Sequence, residues 1–137
     1  MIILETNVLS ALMDAAPDPR VVVWLDAQPR SSIWTTSVTI LEIRFGLQIM
    51  AVGKKRFTLL QAFESTLAKI DHRVVDFDVS AAQQAGDLMA ARQQKGRPGN
   101  LRDTMIAGIV ISRHPTLATR NGAHFSDITA TIDPWAA

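Results

Sequence analysis

The sequence predicts an α/β fold with a central, mostly parallel sheet flanked by helices. Short apolar runs with the length of buried strands alternate with helical patterns, which is typical of a parallel sheet covered by helices. The 137 residues are 47% hydrophobic, which is enough for one core. No repeat, low-complexity tract or linker divides the chain, so residues 1–137 are expected to form one domain.

The first half of the chain contains two predicted strands and two predicted helices. In order, they are a strand at 2–4, a helix at 21–27, a strand at 33–35 and a helix from 37 to about 50. The first strand is an apolar run bounded by a turn-former, and Pro29 ends the first helix. Thr36 or Ser37 can cap the second helix with its hydroxyl.

The second half of the chain continues the same alternation. Its predicted elements are a helix over 57–70, a strand at 74–75, a helix starting near Ser80, a helix starting after Asn100, and strands at 116–118 and 128–132. Apolar residues recur at spacings of three and four in the first of these helices. Ser80 and Gln83 have the spacing of a capping box, Asn100 is a helix-capping residue, and the segment Lys95 to Asn100 predicts a loop.

The composition excludes several classes of function. The chain has no cysteine, which removes disulfides, thiolate catalysis and cysteine-based zinc sites. Its longest apolar runs are far short of a membrane span, and the start has no basic region of a signal peptide. We therefore expect a cytoplasmic protein without membrane contact. A net charge of +1 permits a nucleic-acid partner and does not identify one.

Two polar residues follow predicted strands at the edge where sites form in parallel sheets, which is the carboxyl end. Glu5 follows the first strand, and Asn121 comes shortly after the strand at 116–118. Each has a simpler explanation. Glu5 can complement a helix dipole, and Asn121 with Gly122 is a common turn pair that tolerates positive φ. His124, close by, is by default either polar surface or a residue with a satisfied hydrogen bond.

Glu42 and Asp103 are two further carboxylates on predicted helices. The neighbours of Glu42 at helical spacing are apolar or small, so its charge needs a cation or donors. Arg44 or Arg73 could be a structural partner, and a metal ion is the alternative that we favour. Asp103 can compensate the dipole of its helix, yet it shares a face with apolar residues that point inward.

Oxygen ligands of this kind suit Mg²⁺ or Mn²⁺. Convergent carboxylates can hold such an ion and activate water for attack on a phosphodiester. The three histidines of the sequence lack the close spacing of a helical zinc pair, so zinc hydrolysis is disfavoured.

Four sequence blocks resemble the PIN-domain family in order and spacing. Leu4 to Ser10 (LETNVLS) is similar to the family's opening L-D-T-N-V-L-S, and Thr35 to Leu47 is similar to its second block, which contains a site glutamate. Asp103 to Ala107 resembles the block D-x-x-I-A, and Leu117 to Asn121 resembles a block ending in T-R-N or T-R-D.

This resemblance implies a three-layer PIN fold and the toxin half of a VapBC- or FitAB-type toxin–antitoxin module. It implies a ribonuclease that uses Mg²⁺ or Mn²⁺, an RNA substrate, an antitoxin protein that blocks the toxin, and a homodimer. DNA would be contacted only through the antitoxin. Carried over by position, Glu5, Glu42 and Asp103 would be the catalytic and metal-binding acids. Asn121 stands where many members have a fourth acid, and His124 occupies a nearby position that is often acidic.

Two departures from the family pattern leave two functions open. The first acid is ordinarily aspartate, and the extra methylene of Glu5 moves its carboxylate by roughly 1.5 Å, while Asn121 removes a charge. The chain is therefore either an active ribonuclease, which these changes would attenuate, or a binding module that has lost catalysis. A phosphoacceptor receiver domain is disfavoured because Glu5 is not one of an acid pair.

Two surface expectations complete the sequence prediction. The helices near 38–50 and 57–70 contain more apolar residues than one small domain needs, which predicts a face covered by a partner. Basic residues that could face RNA are Lys54, Lys55, Arg56, Arg92, Lys95, Arg97 and Arg120.

Overall fold

A computed structural model describes residues 1–137, and it has the predicted α/β architecture. Five parallel strands form the central sheet in the order β3-β2-β1-β4-β5. The strands are β1 (Ile2–Leu4), β2 (Ile33–Thr36), β3 (Val74–Val75), β4 (Thr116–Ala118) and β5 (Thr131–Ile132). The central position of β1 places the residue that follows it, Glu5, in the middle of the sheet's carboxyl edge.

Six α-helices flank the sheet. They are α1 (Thr6–Leu12), α2 (Pro19–Asp26), α3 (Ser37–Gln48), α4 (Lys54–Lys69), α5 (Val79–Gln94) and α6 (Leu101–Arg113). The predicted caps of two helices are confirmed: Thr36 accepts from the amide of Thr39, and Asn100 accepts from the amides of Arg102 and Asp103. These caps fix the first turns of α3 and α6, which contain the side chains nearest the site.

The core has two halves, one on each face of the sheet. Leu4 packs into the half formed mainly with α1 to α4, and Ile3 packs into the half formed mainly with α5 and α6. This division follows from the two-residue period of a strand, which sends neighbouring side chains to opposite faces. The three layers predicted from the family resemblance are confirmed.

Three details of the predicted elements are wrong. Asp78, and not Ser80, caps α5 by accepting from the amide of Ala81 at 2.9 Å. The strand predicted at 128–132 forms only at Thr131 and Ile132, because the preceding residues bond back locally to Phe125. Phe57 lies on the outer face of α4 with 62% of its surface exposed, and does not belong to the core.

Helices α5 and α6 pack more closely than any other helix pair, because small residues line their contact. A Cβ placed on Gly108 of α6 would lie 2.4 Å from the carbonyl oxygen of Ala81 and 2.8 Å from the Cβ of Ala85. Glycine at 108 is therefore a requirement of the packing. None of the helices is both long and apolar enough to cross a membrane.

Candidate active site

Glu5 is the most buried carboxylate at the carboxyl edge of the sheet, with 4% of its surface exposed. Its Oε2 accepts from the Thr119 hydroxyl at 3.0 Å and from the Asn7 side-chain amide. Asn7 is itself fixed, because its Nδ2 lies 3.2 Å from Thr119 Oγ1 and its Oδ1 accepts from the amide of Arg120 at 3.1 Å. Both of these side-chain donors to Glu5 are neutral, and Glu5 takes part in no ion pair.

Burial is the main reason that the pKa of Glu5 is raised above its ordinary value of 4.5. The Thr119 hydrogen bond opposes this, whereas the negative charges of Asp103 and Glu42 raise the pKa further. Their effect on Glu5 means that the three acids, 37 to 98 positions apart in sequence, face one region. A buried acid whose pKa is raised further by two other acids is typical of a functional site.

Glu42 reaches this region from α3 and is half-buried, with 20% of its side chain exposed. Its Oε1 accepts from the Thr6 hydroxyl at 2.9 Å, and Thr6 in turn lies 3.0 Å from Thr39. Its Oε2 lies 3.9 Å from Nε of Arg102, which also sits 6.0 Å above the ring of Phe45. The sequence prediction of Arg44 or Arg73 as a structural partner is wrong, because the cation comes from α6.

Asp103 lies in the first turn of α6, with 18% of its side chain exposed. Its Oδ2 accepts from Nδ1 of His124 at 2.8 Å. An ionised carboxylate has no proton to give, so His124 must carry its proton on Nδ1. His124, by default polar surface or a satisfied hydrogen bond in the sequence, is therefore the partner that orients Asp103.

Asn121 is exposed at the rim of the candidate site. It comes directly before a short 3-10 helix over Gly122–Phe125. Its backbone amide donates to Thr119 Oγ1 at 3.0 Å, and its side chain makes no hydrogen bond within the chain. The positive-φ turn is wrong: φ of Asn121 is −104°, and Gly122 is not in the left-handed region. A Cβ at Gly122 would lie 2.6 Å from Thr131 Oγ1, so a larger residue there would require the Thr131 side chain to rotate.

Comparison with known proteins decides the family. A model of the PIN domain matches residues 2–130. The chain belongs to the PIN-domain family.

Full-length relatives of this PIN domain include two named toxins or ribonucleases. It is 35% identical over 137 residues to the VapC ribonuclease Y4jK of Sinorhizobium fredii, covering 98% of both chains. It is 31% identical to Toxin FitB of Neisseria gonorrhoeae, covering 98% of this chain and 99% of the relative. The crystal structure of FitAcB from the same organism superposes on all of both chains with a TM-score of 0.87 and 29% identity.

The side chains of this PIN domain do not form a preorganised set of metal ligands. No three of its histidine, aspartate and glutamate side chains are placed so that they could hold one ion together. Each acid is instead hydrogen-bonded to a separate neighbour: Glu5 to Thr119, Glu42 to Thr6 and Asp103 to His124. The chemistry of the donors, carboxylates and hydroxyls with one imidazole, nevertheless fits a hard divalent cation.

The sequence interpretation missed the residues that hold the acids. Thr6 and Thr119 donate to Glu42 and Glu5, and Arg102 supplies the cation beside Glu42. Two of the three were inside the matched sequence blocks. Thr6 stands next to Glu5 in the first block, and Thr119 stands two residues before Asn121 in the fourth, so their places beside predicted site residues were the available signal.

Proposed function

We propose that this PIN domain is the ribonuclease toxin of a toxin–antitoxin module, and that it hydrolyses RNA with Glu5, Glu42, Asp103 and a bound Mg²⁺ or Mn²⁺. The observation that carries the proposal is the buried Glu5 carboxylate, which has no cationic partner and is repelled by the two other acids. An unpaired buried charge costs several kcal/mol, and a divalent ion among the acids would remove that cost. The names of the full-length relatives support the substrate class.

A bound ion would supply the chemistry that carboxylates lack, which is a water nucleophile at neutral pH and charge stabilisation on the phosphate. The chain's own residues have supporting tasks. Glu5, Glu42 and Asp103 are the ligands that would hold the ion, and their side chains would have to turn toward one another to do so. Burial of Glu5 excludes competing water on the side of the sheet. Asn121, exposed at the rim, is available as a neutral oxygen ligand.

We assign the positioning of the acids to four neighbouring residues. Thr119 and Asn7 fix Glu5 on the sheet side, Thr6 fixes Glu42, and His124 fixes Asp103. Such supporting hydrogen bonds raise the precision of a site, and their loss commonly costs 10-fold to 100-fold in affinity or activity.

The test is cleavage of one single-stranded RNA by the purified full chain with Mg²⁺, Mn²⁺ or EDTA. We expect weak cleavage with either metal and none with EDTA. Asp103→Asn should abolish the activity, because it removes a charge as well as a ligand. Glu5→Asp, which restores the length that is usual in the family, should increase it by up to about a hundredfold, the effect of a misplacement on the 1 Å scale.

Two results would contradict this proposal. Cleavage that persists in EDTA would exclude the metal mechanism and indicate a contaminating ribonuclease. A Glu5→Asp variant no faster than the parent would show that the length of Glu5 does not limit the rate. As a surface control, Asp26→Asn at the end of α2 should leave cleavage unchanged.

The second candidate is a PIN domain that binds its antitoxin and has lost cleavage. The commitment of each acid to a separate partner, and the neutral, exposed Asn121, favour this reading. It predicts that neither the parent nor Glu5→Asp cleaves RNA with any metal, while both still bind the partner protein. The cleavage assay above therefore separates the two candidates.

An apolar surface on α3 and α4 is proposed as the contact with protein partners. Leu41, Phe45 and Ile49 recur at every fourth residue of α3 and the turn after it, and are 51%, 55% and 68% exposed. Val52 and Phe57 extend this surface with exposures of 90% and 62%. We assign it to an amphipathic antitoxin helix and to homodimer formation, with DNA contacted only through the antitoxin.

Self-association can be measured directly by light scattering after size-exclusion chromatography. We expect the parent to run as a dimer and Ile49→Glu, which places a charge on the apolar surface, to run as a monomer. Val23→Glu, a similarly exposed valine on α2, is the matched control and should remain dimeric. A parent that runs as a monomer at every concentration tested would contradict the homodimer.

A further inference from the structure

A cleft of about 370 Å³ opens beside Asp103 and His124, and we name it the basic cleft. Its walls come from the end of α5, the loop that joins α5 to α6, and the segment after His124. Arg92, Lys95 and Arg97 line one side, and Asp127 lies opposite. Ala123 is its one hydrophobic residue, and it contains no Phe, Trp or Tyr. A cleft of this composition favours a charged, hydrated ligand over an apolar one.

The charges of the basic cleft do not cancel. Asp127 is neutralised by Arg92, whose Nε and Nη2 donate to the two carboxylate oxygens at 2.9 and 2.8 Å. That pairing holds the pKa of Asp127 below its usual range. Lys95 and Arg97 are exposed and take part in no ion pair. Two free positive charges therefore lie along the approach to Asp103.

Arg92 is held in place by several hydrogen bonds beside the loop that contains Lys95 and Arg97. It is 7% exposed, and its guanidinium also donates to Thr104 Oγ1 at 3.1 Å and to the His124 carbonyl at 3.0 Å. Its own carbonyl accepts from the amide of Arg97 at 2.8 Å. Gly96 and Gly99 take φ of 70°, which lets the loop turn tightly over Arg92. The backbone of Arg97 is thus held by the same arginine that contacts His124, while the amide of Lys95 donates to the Ala91 carbonyl at the end of α5.

The other basic residues singled out in the sequence lie elsewhere. Lys54 and Lys55 line a separate groove between α1 and α4, with no carboxylate of the active site in it. Arg120 stacks on the ring of Trp135, 4.6 Å from its centroid. Among these candidates, Lys95 and Arg97 are therefore the unpaired cations that share a cleft with Asp103.

We infer that the basic cleft is the subsite for the RNA backbone next to the cleaved phosphodiester, with Lys95 and Arg97 contacting its phosphates. The inference rests on the proposed ribonuclease function and adds the path of the substrate. Phosphate contacts of this kind position a strand and do not read its sequence. Because the cleft offers no aromatic ring on which bases could stack, its contribution is the same for RNAs of different sequence.

Binding of a fluorescent single-stranded RNA to the full chain, with EDTA present to prevent cleavage, tests the inference. The variant is Lys95→Ala/Arg97→Ala, and the matched control Lys54→Ala/Lys55→Ala removes the same charge from the other groove. Each phosphate contact on a single strand contributes about −0.7 to the slope of log affinity against log salt. Loss of two contacts should make the slope shallower by about 1.4 and weaken binding roughly 25-fold at 0.1 M salt.

The control should bind like the parent, and melting curves should show that both double variants are folded. Equal binding and equal salt dependence for Lys95→Ala/Arg97→Ala and the parent would overturn the inference. Equal weakening by the two double variants would also overturn it, since the effect would then be net charge alone. If RNA binding behaves as expected but no metal supports cleavage, the ribonuclease proposal fails while the RNA subsite stands. If cleavage occurs and the cleft variant binds normally, the subsite fails and the ribonuclease proposal stands.

Discussion

Gly108 offers the sharpest test of how the fold positions the acidic site. It lies in α6, five residues after Asp103, where that helix packs against α5. A Cβ at 108 would lie 2.4 Å from the carbonyl oxygen of Ala81, about 1 Å inside normal non-bonded contact. Because the obstacle is helix backbone, it cannot rotate away. Gly108→Ala must therefore separate the two helices or bend one of them.

The expected magnitude is the balance of two opposing effects. Alanine is better than glycine in a helix by about 1 kcal/mol, whereas overpacking a close contact costs typically 1–3 kcal/mol. We expect Gly108→Ala to lower the free energy of unfolding by up to about 2 kcal/mol. For a chain of this length that is a Tm lower by up to roughly 7 °C. A displacement of α6 also moves Asp103, so cleavage should fall by about a hundredfold for a shift near 1 Å.

Gly86→Ala on the facing helix is the matched control, because nothing lies within 4 Å of a Cβ at that position. It should raise the free energy of unfolding by about 0.5–1 kcal/mol through helix propensity alone. Urea denaturation of the parent and both variants, monitored by far-UV circular dichroism, gives the three values. A Gly108→Ala variant as stable as Gly86→Ala would refute the close packing of α5 on α6.

Three further predictions concern charge and metal. In EDTA at pH 7, Glu5→Gln should be more stable than the parent in urea denaturation. Because burial raises the pKa of Glu5, the parent should gain stability relative to this variant as pH falls toward 4.5, and a pH-independent difference would contradict the buried charge. Mg²⁺ at ten times its Kd should raise the free energy of unfolding of the parent by roughly 1.4 kcal/mol, seen in melting curves, and not that of Asp103→Asn. Arg92→Lys should lower the free energy of unfolding by about 1–3 kcal/mol, because lysine keeps the charge of Arg92 but loses the bidentate hydrogen bonds to Asp127. An unchanged urea midpoint would contradict this.

The strand positions could be predicted because they depend on local signals. Strands at 2–4, 74–75 and 116–118 are confirmed as predicted, since short apolar runs in a doubly covered sheet leave little ambiguity. Ser80 shows the limit of such signals. Its spacing to Gln83 fits a capping box, but its hydroxyl lies 3.0 Å from Ser112 on α6, and Asp78 reaches the helix start first. The sequence therefore offered two local capping residues, and their spacing alone did not distinguish them.

Hydrophobic periodicity failed in a different way on α3 and α4. It locates an apolar face correctly but does not say whether the protein's own core covers that face. Phe57 continues the pattern of Phe63 and Leu67, yet Phe57 is exposed and the other two are buried. The same limit applies to Glu42, whose apolar neighbours in sequence, Leu41 and Phe45, are largely exposed. The charge of Glu42 is met by Arg102, which no local pattern connects with it.

The extra methylene of Glu5 has a structural counterpart in Thr119. The longer side chain brings the carboxylate to the Thr119 hydroxyl, whose oxygen also lies 3.2 Å from the Asn7 amide nitrogen and accepts from the Asn121 amide at 3.0 Å. A shorter side chain would sit roughly 1.5 Å back toward its own backbone, at the limit of that hydrogen bond. The side-chain length that we propose weakens the site for a metal is thus the length that brings the carboxylate to Thr119.

These two demands on Glu5 can be separated with a double-mutant cycle of Glu5→Asp and Thr119→Val. Thr119→Val alone should cost about 1–3 kcal/mol of stability, because the buried Glu5 carboxylate loses a donor and the Asn121 amide loses its acceptor. If the hydroxyl acts on cleavage by holding Glu5, Thr119→Val should reduce kcat in the parent and have little further effect once Glu5→Asp is present. Equal losses of kcat in both backgrounds, at unchanged metal dependence, would show that Thr119 supports the loop after β4 and not the carboxylate.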